Sequence, residues 1–330
     1  MNKNQNLGCI RLFFKIGLIM LGMNCLPGFA IDYPTKPIKM IVPFAPGGGN
    51  DAIGRVIAKN LTEELGQPVI VENKAGAGGR LGVESGVKAE ADGYTILLIS
   101  NSYAANPSLF KINFNPIKDI TPIGLIAKTP LLLAVRKDLP VNSVSELIQY
   151  AKANPGKLSY ASSGQGGISH LSTELFLKQA GIQMTHIPYK GTAPAITDIV
   201  GGVTDLFFST SGAALPYLQA NKIKVLAVST STRSALEPEI PTVAESGLPG
   251  YGVTVWYALI GPKNLPSEIL KKLNLALTAA VMDKKTLELF KATGDVASPS
   301  SPEELRSIIV GEVTLWRKVV TDAQIKVDLP

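Results

Sequence analysis

Val42-Pro43-Phe44-Ala45-Pro46-Gly47-Gly48-Gly49-Asn50-Asp51 is the stretch on which the reading of the chain turns. Ile38, Met40, Ile41 and Val42 lead into it as a short apolar run, the pattern of a buried strand. Pro46 and the three glycines then forbid regular structure. Across 51–65, Ala52, Ile53, Val56, Ile57, Leu61 and Leu65 recur at helical spacing until Gly66 stops them. Asn50 or Asp51 is expected to cap that helix. Strand, glycine turn and helix N-terminus together form a cradle of outward N–H groups. The helix dipole adds about half a positive charge there.

Upstream, residues 1–30 read as a secretory leader rather than as part of a fold. Lys3, Arg11 and Lys15 precede or flank an apolar run at 16–23, and Gly28 and Ala30 supply small residues for cleavage after Ala30. The run is too short for a good membrane anchor, and Gly22-Met23-Asn24 before Cys25 is a poor lipidation signal. Both cysteines, Cys9 and Cys25, fall inside the leader. The exported chain is therefore expected to hold no disulfide, thiolate nucleophile or cysteine metal site. Losing three of the 32 basic residues and none of the 26 acidic ones lowers the net charge from +6 to +3. That is no nucleic-acid footprint. A soluble, monomeric protein of the bacterial periplasm is expected.

Downstream, short apolar strands alternate with helices. Strands are expected at 38–42, 69–72 and 95–100, with helices at 51–65 and 80–89 between them, a βαβαβ pattern of a parallel sheet. The theme repeats with strands at 130–135, 158–161, 185–187, 205–208 and 225–229, and helices at 145–153, 168–180 and from Pro194 to the Gly201-Gly202 pair. A crossing strand is expected at 253–260, and helices at 267–282, 284–292 and 302–323. Strand ends carry small or polar residues: Asn101-Ser102, Ser162-Ser163-Gly164-Gln165-Gly166-Gly167 and Pro188-Tyr189-Lys190-Gly191. In open α/β sheets, ligands bind at such ends. Two such sheets suggest two lobes, with crossings near 127–130 and 248–253.

The obvious chemistries are missing their parts. No Gly-x-x-x-x-Gly-Lys-Ser/Thr loop occurs, and Gly76-Ala77-Gly78-Gly79-Arg80-Leu81-Gly82 lacks the third glycine of a dinucleotide loop. There is no Gly-x-Ser-x-Gly elbow. The two histidines, His170 and His186, match no metal spacing. His170, beside small residues, reads first as a structural hydrogen-bonding group. An exported α/β hydrolase using Ser162 and His170 is the alternative. Converging N–H groups and hydroxyls suit a small carboxylate better than they suit turnover.

From Tyr33 on, the chain resembles the Bug receptors, the substrate-binding components of tripartite tricarboxylate transporters. The resemblance rests on Tyr33-Pro34-x-Lys36-Pro37-Ile38, Val42-Pro43-Phe44-x-x-Gly47-Gly48-x-x-Asp51, Glu72-Asn73 before Gly76-Ala77-Gly78-Gly79, and Asp92-Gly93-Tyr94-Thr95. It continues in Tyr160-Ala161-Ser162-Ser163-Gly164-x-Gly166 with His170-Leu171, His186-x-Pro188-Tyr189-Lys190-Gly191, Pro241-Thr242-Val243 and Trp256 before Gly261-Pro262. It implies an α/β, two-lobed periplasmic-binding-protein (Venus flytrap, type II) fold. Lobe 1 would comprise 31–129 plus 251–330, and lobe 2 would comprise 130–250. It implies a di- or tricarboxylate, acidic amino acid or aromatic acid as ligand, no cofactor, and integral membrane permease subunits as partners, although a sensor kinase would leave the same sequence. The implied ligand contacts are Phe44, Ala45, Gly47, Gly48 and Asp51 in one lobe. In the other they are Ser162, Ser163, Gly164, His170, Tyr189 and Gly191, with Asn101 and Ser102 as additions. Asp51 is expected to cap the helix and fix the loop, because it would repel a carboxylate. Two positions depart from the family pattern. Gly167 replaces a common hydroxyl residue, and Lys74-Ala75 replaces Arg-Pro, outside the expected cleft.

Overall fold

The strand that enters the glycine stretch buries Ile38, Met40, Ile41 and Val42 and leaves Lys39 outside, paired with Glu72 at 2.9 Å. The computed structural model describes residues 32–235 and 237–325, so the expected leader lies outside the described residues. In chain order the elements are β1 (Ile38–Val42), α1 (Gly49–Leu65), β2 (Val69–Asn73), α2 (Arg80–Val87), β3 (Thr95–Ser100), α3 (Asn101–Leu109) and β4 (Ile120–Arg136). Next come α4 (Val144–Ala153), β5 (Ser159–Ser162), α5 (Ile168–Ala180), β6 (Thr185–Pro188), α6 (Thr192–Val200), β7 (Leu206–Thr210), α7 (Ser211–Gln219) and β8 (Ile223–Val228). The chain closes with β9 (Thr254–Pro262), α8 (Ser267–Met282), α9 (Lys284–Thr293), β10 (Val296–Ala297) and α10 (Pro302–Asp322).

Strand order β2-β1-β3-β9-β4-β7-β5-β6 joins two half-sheets through β4. β1 lies parallel to β2 and β3, and β9 runs antiparallel to β3. β5 lies parallel to β6 and β7. β4 serves both halves. Its residues from Ile120 to Pro130 pair with β9, and those from Leu131 onward pair with β7 and β8. The chain from Tyr33 onward clusters as one unit.

Amphipathic helices cover these half-sheets. α1 buries Ile53, Ile57, Leu61 and Leu65. The Thr62 hydroxyl donates to Ala58 O and accepts from Val69 N, fastening the helix end to β2. α10 starts in a capping box between Ser301 and Glu304 and buries Leu305, Ile309, Val313, Trp316 and Val320.

Three longer elements differ from the sequence reading, besides the two-residue β10, which it did not include. α3 lies in a stretch after β3 to which the sequence reading assigned no element, and it contains Pro107. β4 is longer than expected because its first part, with Pro122 and Gly124, pairs through two register shifts. α7 lies in a stretch to which the sequence reading assigned no element, with Pro216 inside it. In each, proline or glycine broke the pattern while tertiary packing supplied the structure.

Gly82 lets α2 press on the glycine stretch. A Cβ there would lie 2.7 Å from Lys74 O and 2.8 Å from Pro43 Cα, both backbone atoms. Gly82→Ala is expected to cost about 1–3 kcal/mol. Gly311→Ala, on an open face of α10, is expected to stabilise by about 0.5–1 kcal/mol. Urea midpoints that move together for the two variants would contradict this account.

Candidate functional site

Gly47 takes the turn at φ 83° and α1 begins at Gly49 with Gly48 as its N-cap. This corrects the expected cap, because Asn50 and Asp51 both sit inside the helix. Asp51 occupies the first turn and reaches backward. Its Oδ2 accepts from Gly47 N and Arg55 Nε, each at 2.9 Å, and its Oδ1 accepts from Asn73 Nδ2 at 2.9 Å. The same Asn73 amide donates to Phe44 O at 3.0 Å. Burial works to raise the Asp51 pKa, but the donors from Arg55, Gly47 and Asn73 outweigh it and hold the group below the usual carboxylate range. Asp51 is thus a charged internal clamp on the loop. The first-turn N–H groups of α1 have no intrahelical partners.

The second half offers fewer main-chain donors than its glycines suggest. Ser163 N donates to Ser169 Oγ, Gly164 N to Ser162 Oγ, Gly166 N to His170 Nδ1 and Gly167 N to Gly164 O. His170 is 2% exposed and stacks on His186 with ring centroids 4.2 Å apart. Burial, and then His186, push its pKa down to about 3, so it stays neutral. Ser162 Oγ lies 2.6 Å from His186 Nε2, so the serine pairs with His186 rather than His170. Ser162 is fully buried and His186 half-buried. A Cβ at Gly167 would sit 3.0 Å from Gly164 O and 3.1 Å from Ser163 Oγ, so the missing hydroxyl side chain leaves that loop uncrowded.

Loops of the two halves meet backbone to backbone. A Cβ on Gly78 would lie 2.5 Å from Gln165 O, one on Gly47 3.3 Å from Ala193 Cβ, and one on Gly191 3.2 Å from Ala45 Cβ. Beside this seam is a cavity of about 360 Å³, walled by Phe44, Gly76 to Leu81 and Phe110 from one half and by Ser163, Gly164, Gln165, Pro188, Tyr189 and Lys190 from the other. Pockets of about 300–1,000 Å³ hold small ligands. A smaller cavity of about 140 Å³ lies behind Gly47, Gly48 and Gly49, among Ile53, Val56, Tyr257 and Asp295. Burial pushes the Asp295 carboxyl up to about 6 against the opposing hydroxyl bonds of Thr293 and Thr129. Its size and its acid make it a poor seat for an anion.

Of the expected contacts, Phe44, Ser163, Gly164 and Tyr189 line the larger cavity, and Gly47 and Gly48 line the smaller one. Ala45 and Gly191 pack on each other at the seam. Asp51, Ser162 and His170 support loops from beneath. Asn101 accepts from Trp256 N at 2.9 Å and donates to Thr254 O and Glu312, bracing β9 against α10. Ser102 pairs with Ser100, buried. Tyr189 donates to Asp198, and burial followed by that carboxylate raises its phenol to about 12. Lys74 donates to Ser85 Oγ and lines neither cavity. Arg80, Phe110 and Gln165, which the sequence reading did not name as contacts, also line the larger cavity. Arg80 follows the second glycine loop directly, which was the available signal.

A family model described as the tripartite tricarboxylate transporter family receptor matches residues 53–325. Among solved structures, the chain is similar to the periplasmic binding protein BugD, at 35% identity over 89% of this chain and 99% of that one, with a TM-score of 0.86. It is similar to an R. palustris protein solved with adipate, also at 35% identity, 89% and 99% coverage and a TM-score of 0.86. It is similar to MatC from Rhodopseudomonas palustris with bound malate, at 32% identity over 87% of this chain and 100% of that one, with a TM-score of 0.84. These likenesses establish the mixed α/β fold of periplasmic binding proteins.

The neutral, stacked His170 makes a pH prediction. Unfolded histidine takes a proton below its ordinary pKa of about 6.5, whereas folded His170 resists until about 3. Stability from this group is complete above pH ~6.5 and is lost as pH falls toward ~3. His170→Gln should therefore be less stable at pH 7, with a deficit that shrinks on acidification by up to about 1.4 kcal/mol per pH unit. A deficit constant from pH 7 to pH 4 in urea titrations would remove this role.

Proposed function

The chain belongs to the tripartite tricarboxylate transporter receptor family, and on that footing we propose that it is a periplasmic receptor that captures a small carboxylate and hands it to integral membrane permease subunits. The ligand class is a di- or tricarboxylate, acidic amino acid or aromatic acid. The family is one of solute receptors rather than enzymes, and the reading assigns no chemical step to the cleft. Lobe 1 is taken as 31–129 plus 251–330 and lobe 2 as 130–250, with residues 1–30 as the export leader and a monomer as the working form.

The observation that carries this reading is the 360 Å³ cavity between the glycine loops of the two halves. Adipate and malate accompany two similar proteins, and each is a small carboxylate. Phe44, Ser163, Gly164 and Tyr189 are the proposed direct contacts. Ala45, Gly47, Gly48 and Gly191 form the seam that separates as the lobes part and re-forms as they close. Asp51 holds the loop shape and makes no ligand contact.

Binding to the folded state alone raises stability by mass action, by about 2.7 kcal/mol when ligand is at 100 times Kd. A thermal-shift screen of organic acids and acidic amino acids is expected to find at least one that raises the melting temperature. The same ligand should make the X-ray scattering envelope more compact. A broad panel that produces neither change would refute the receptor reading.

A further inference from the structure

We propose that His186 positions the loop after β5 for binding, acting through Ser162 and His170, and that a proton on His186 Nε2 releases the cavity wall this loop forms. The proposal rests on the receptor reading above and adds a proton-linked control to the same site. Ser163, Gly164 and Gln165 of this loop line the larger cavity. Gly164 and Gly166 take left-handed φ angles of 135° and 77°, and each N–H has a side-chain acceptor. Gly164 N donates to Ser162 Oγ and Gly166 N donates to His170 Nδ1, both at 3.2 Å. Those two acceptors are the groups that His186 touches. Its Nε2 lies 2.6 Å from Ser162 Oγ, and its ring stacks on His170 with centroids 4.2 Å apart.

The bonds assign the proton. Ser162 is fully buried, and its Oγ already accepts from Gly164 N. Its own hydrogen then goes to His186 Nε2, the other partner of that oxygen. Nε2 is therefore bare, and the neutral ring carries its hydrogen on Nδ1. Protonation turns Nε2 from acceptor into donor. Oγ would then face two donors, and its hydrogen would lose its acceptor, which is costly for a buried hydroxyl. The new charge would also lie against the imidazole of His170, which burial and then His186 keep neutral down to about 3. Two further titratable groups stand in the same column. Tyr160 on β5 lies opposite His186 on β6 and stacks on it at 4.7 Å, and its hydroxyl donates to Glu174 of α5. Burial, followed by Glu174, raises the Tyr160 phenol far above its usual range, so it stays neutral. Histidine ordinarily changes charge near pH ~6.5. His170 is withdrawn from that span, and half-buried His186 is the imidazole through which acid reaches the loop.

The test begins without ligand. Nitrogen NMR of the exported chain follows the histidine rings and the Gly164 and Gly166 amides from about pH 8 to about pH 5. At the upper end His186 is expected to be neutral with a bare Nε2. On acidification Nε2 should gain its proton, and both amides should lose exchange protection by about tenfold or more at the same midpoint. His186→Gln offers Ser162 an acceptor that does not titrate, so its amides should stay protected throughout. A protonated Nε2 at pH 8, a ring still neutral at pH 5, or amides that stay protected while His186 charges would each overturn the proposal. A second arm measures malate and adipate by calorimetry over the same range. For whichever binds, the affinity of the parent relative to His186→Gln should fall by up to about tenfold per pH unit below the midpoint. The ligand's own titration is common to both proteins and cancels in the ratio. His186→Leu, which has no acceptor, should bind more weakly than His186→Gln at pH 8. Parallel pH profiles for the parent and His186→Gln would overturn the link between the loop and the cavity while leaving the receptor reading intact. If no acid in the wider screen binds, the receptor reading falls, and the proton-linked loop is decided by NMR alone.

Discussion

Close approach of backbone to backbone across the seam is the constraint on which the rest of the molecule depends. Gly78 and Gln165 approach so closely that a single Cβ would collide with a carbonyl oxygen. Loops can meet this way only if their supports hold position to a fraction of an ångström. On one side that support is β1, α1 and the Asp51 carboxylate, which gathers Gly47, Asn73 and Arg55 around one buried charge. On the other side it is a column of aromatic and imidazole rings, Tyr160, His186 and His170, stacked under the loop after β5. Both supports are polar, buried and internally paired, which is the condition under which buried polar groups rigidify rather than weaken a fold.

The two halves are joined through the strands they share. Ser229 is where they are pinned. It is fully buried, and its hydroxyl accepts from Leu131 N at 2.9 Å and donates to Val253 O at 2.6 Å. Its backbone completes the tie: Ser229 N donates to Leu131 O, and Val253 N donates to Ser229 O, both at 2.8 Å. Just beyond, Asn101 holds Thr254 and Trp256. These segments, where β4, the residue after β8 and the approach to β9 meet, are therefore bonded to each other and to the first half.

Sequence periodicity read β1, β3, α1, α5 and α8 well because each carries its own apolar stripe. It failed at α3 and at the front of β4, where Pro107, Pro122 and Gly124 speak against the structure that neighbouring strands and helices impose. The glycine loops were legible as a cleft because strand ends and glycines leave a local signature. The division of labour within them was not. Ser162, His170 and Asn101 look like ligand contacts in one dimension, yet their partners are His186, Gly166 and Trp256, residues separated from them by spacings that no motif encodes. The helix cap was misplaced because Asp51 satisfies Gly47 from inside the helix.

The internal pairing of these polar groups bears directly on how an anion would be held. A buried carboxylate already serves the first loop, and most N–H groups of the loop after β5 are bonded to their own neighbours. Of the residues lining the larger cavity, Arg80 and Lys190 are cations and none is acidic. Glu84 fixes the Arg80 fork without filling it, since Nε stays unpaired. The glycines set how close the walls come, and Arg80 and Lys190 are the formal charges on those walls.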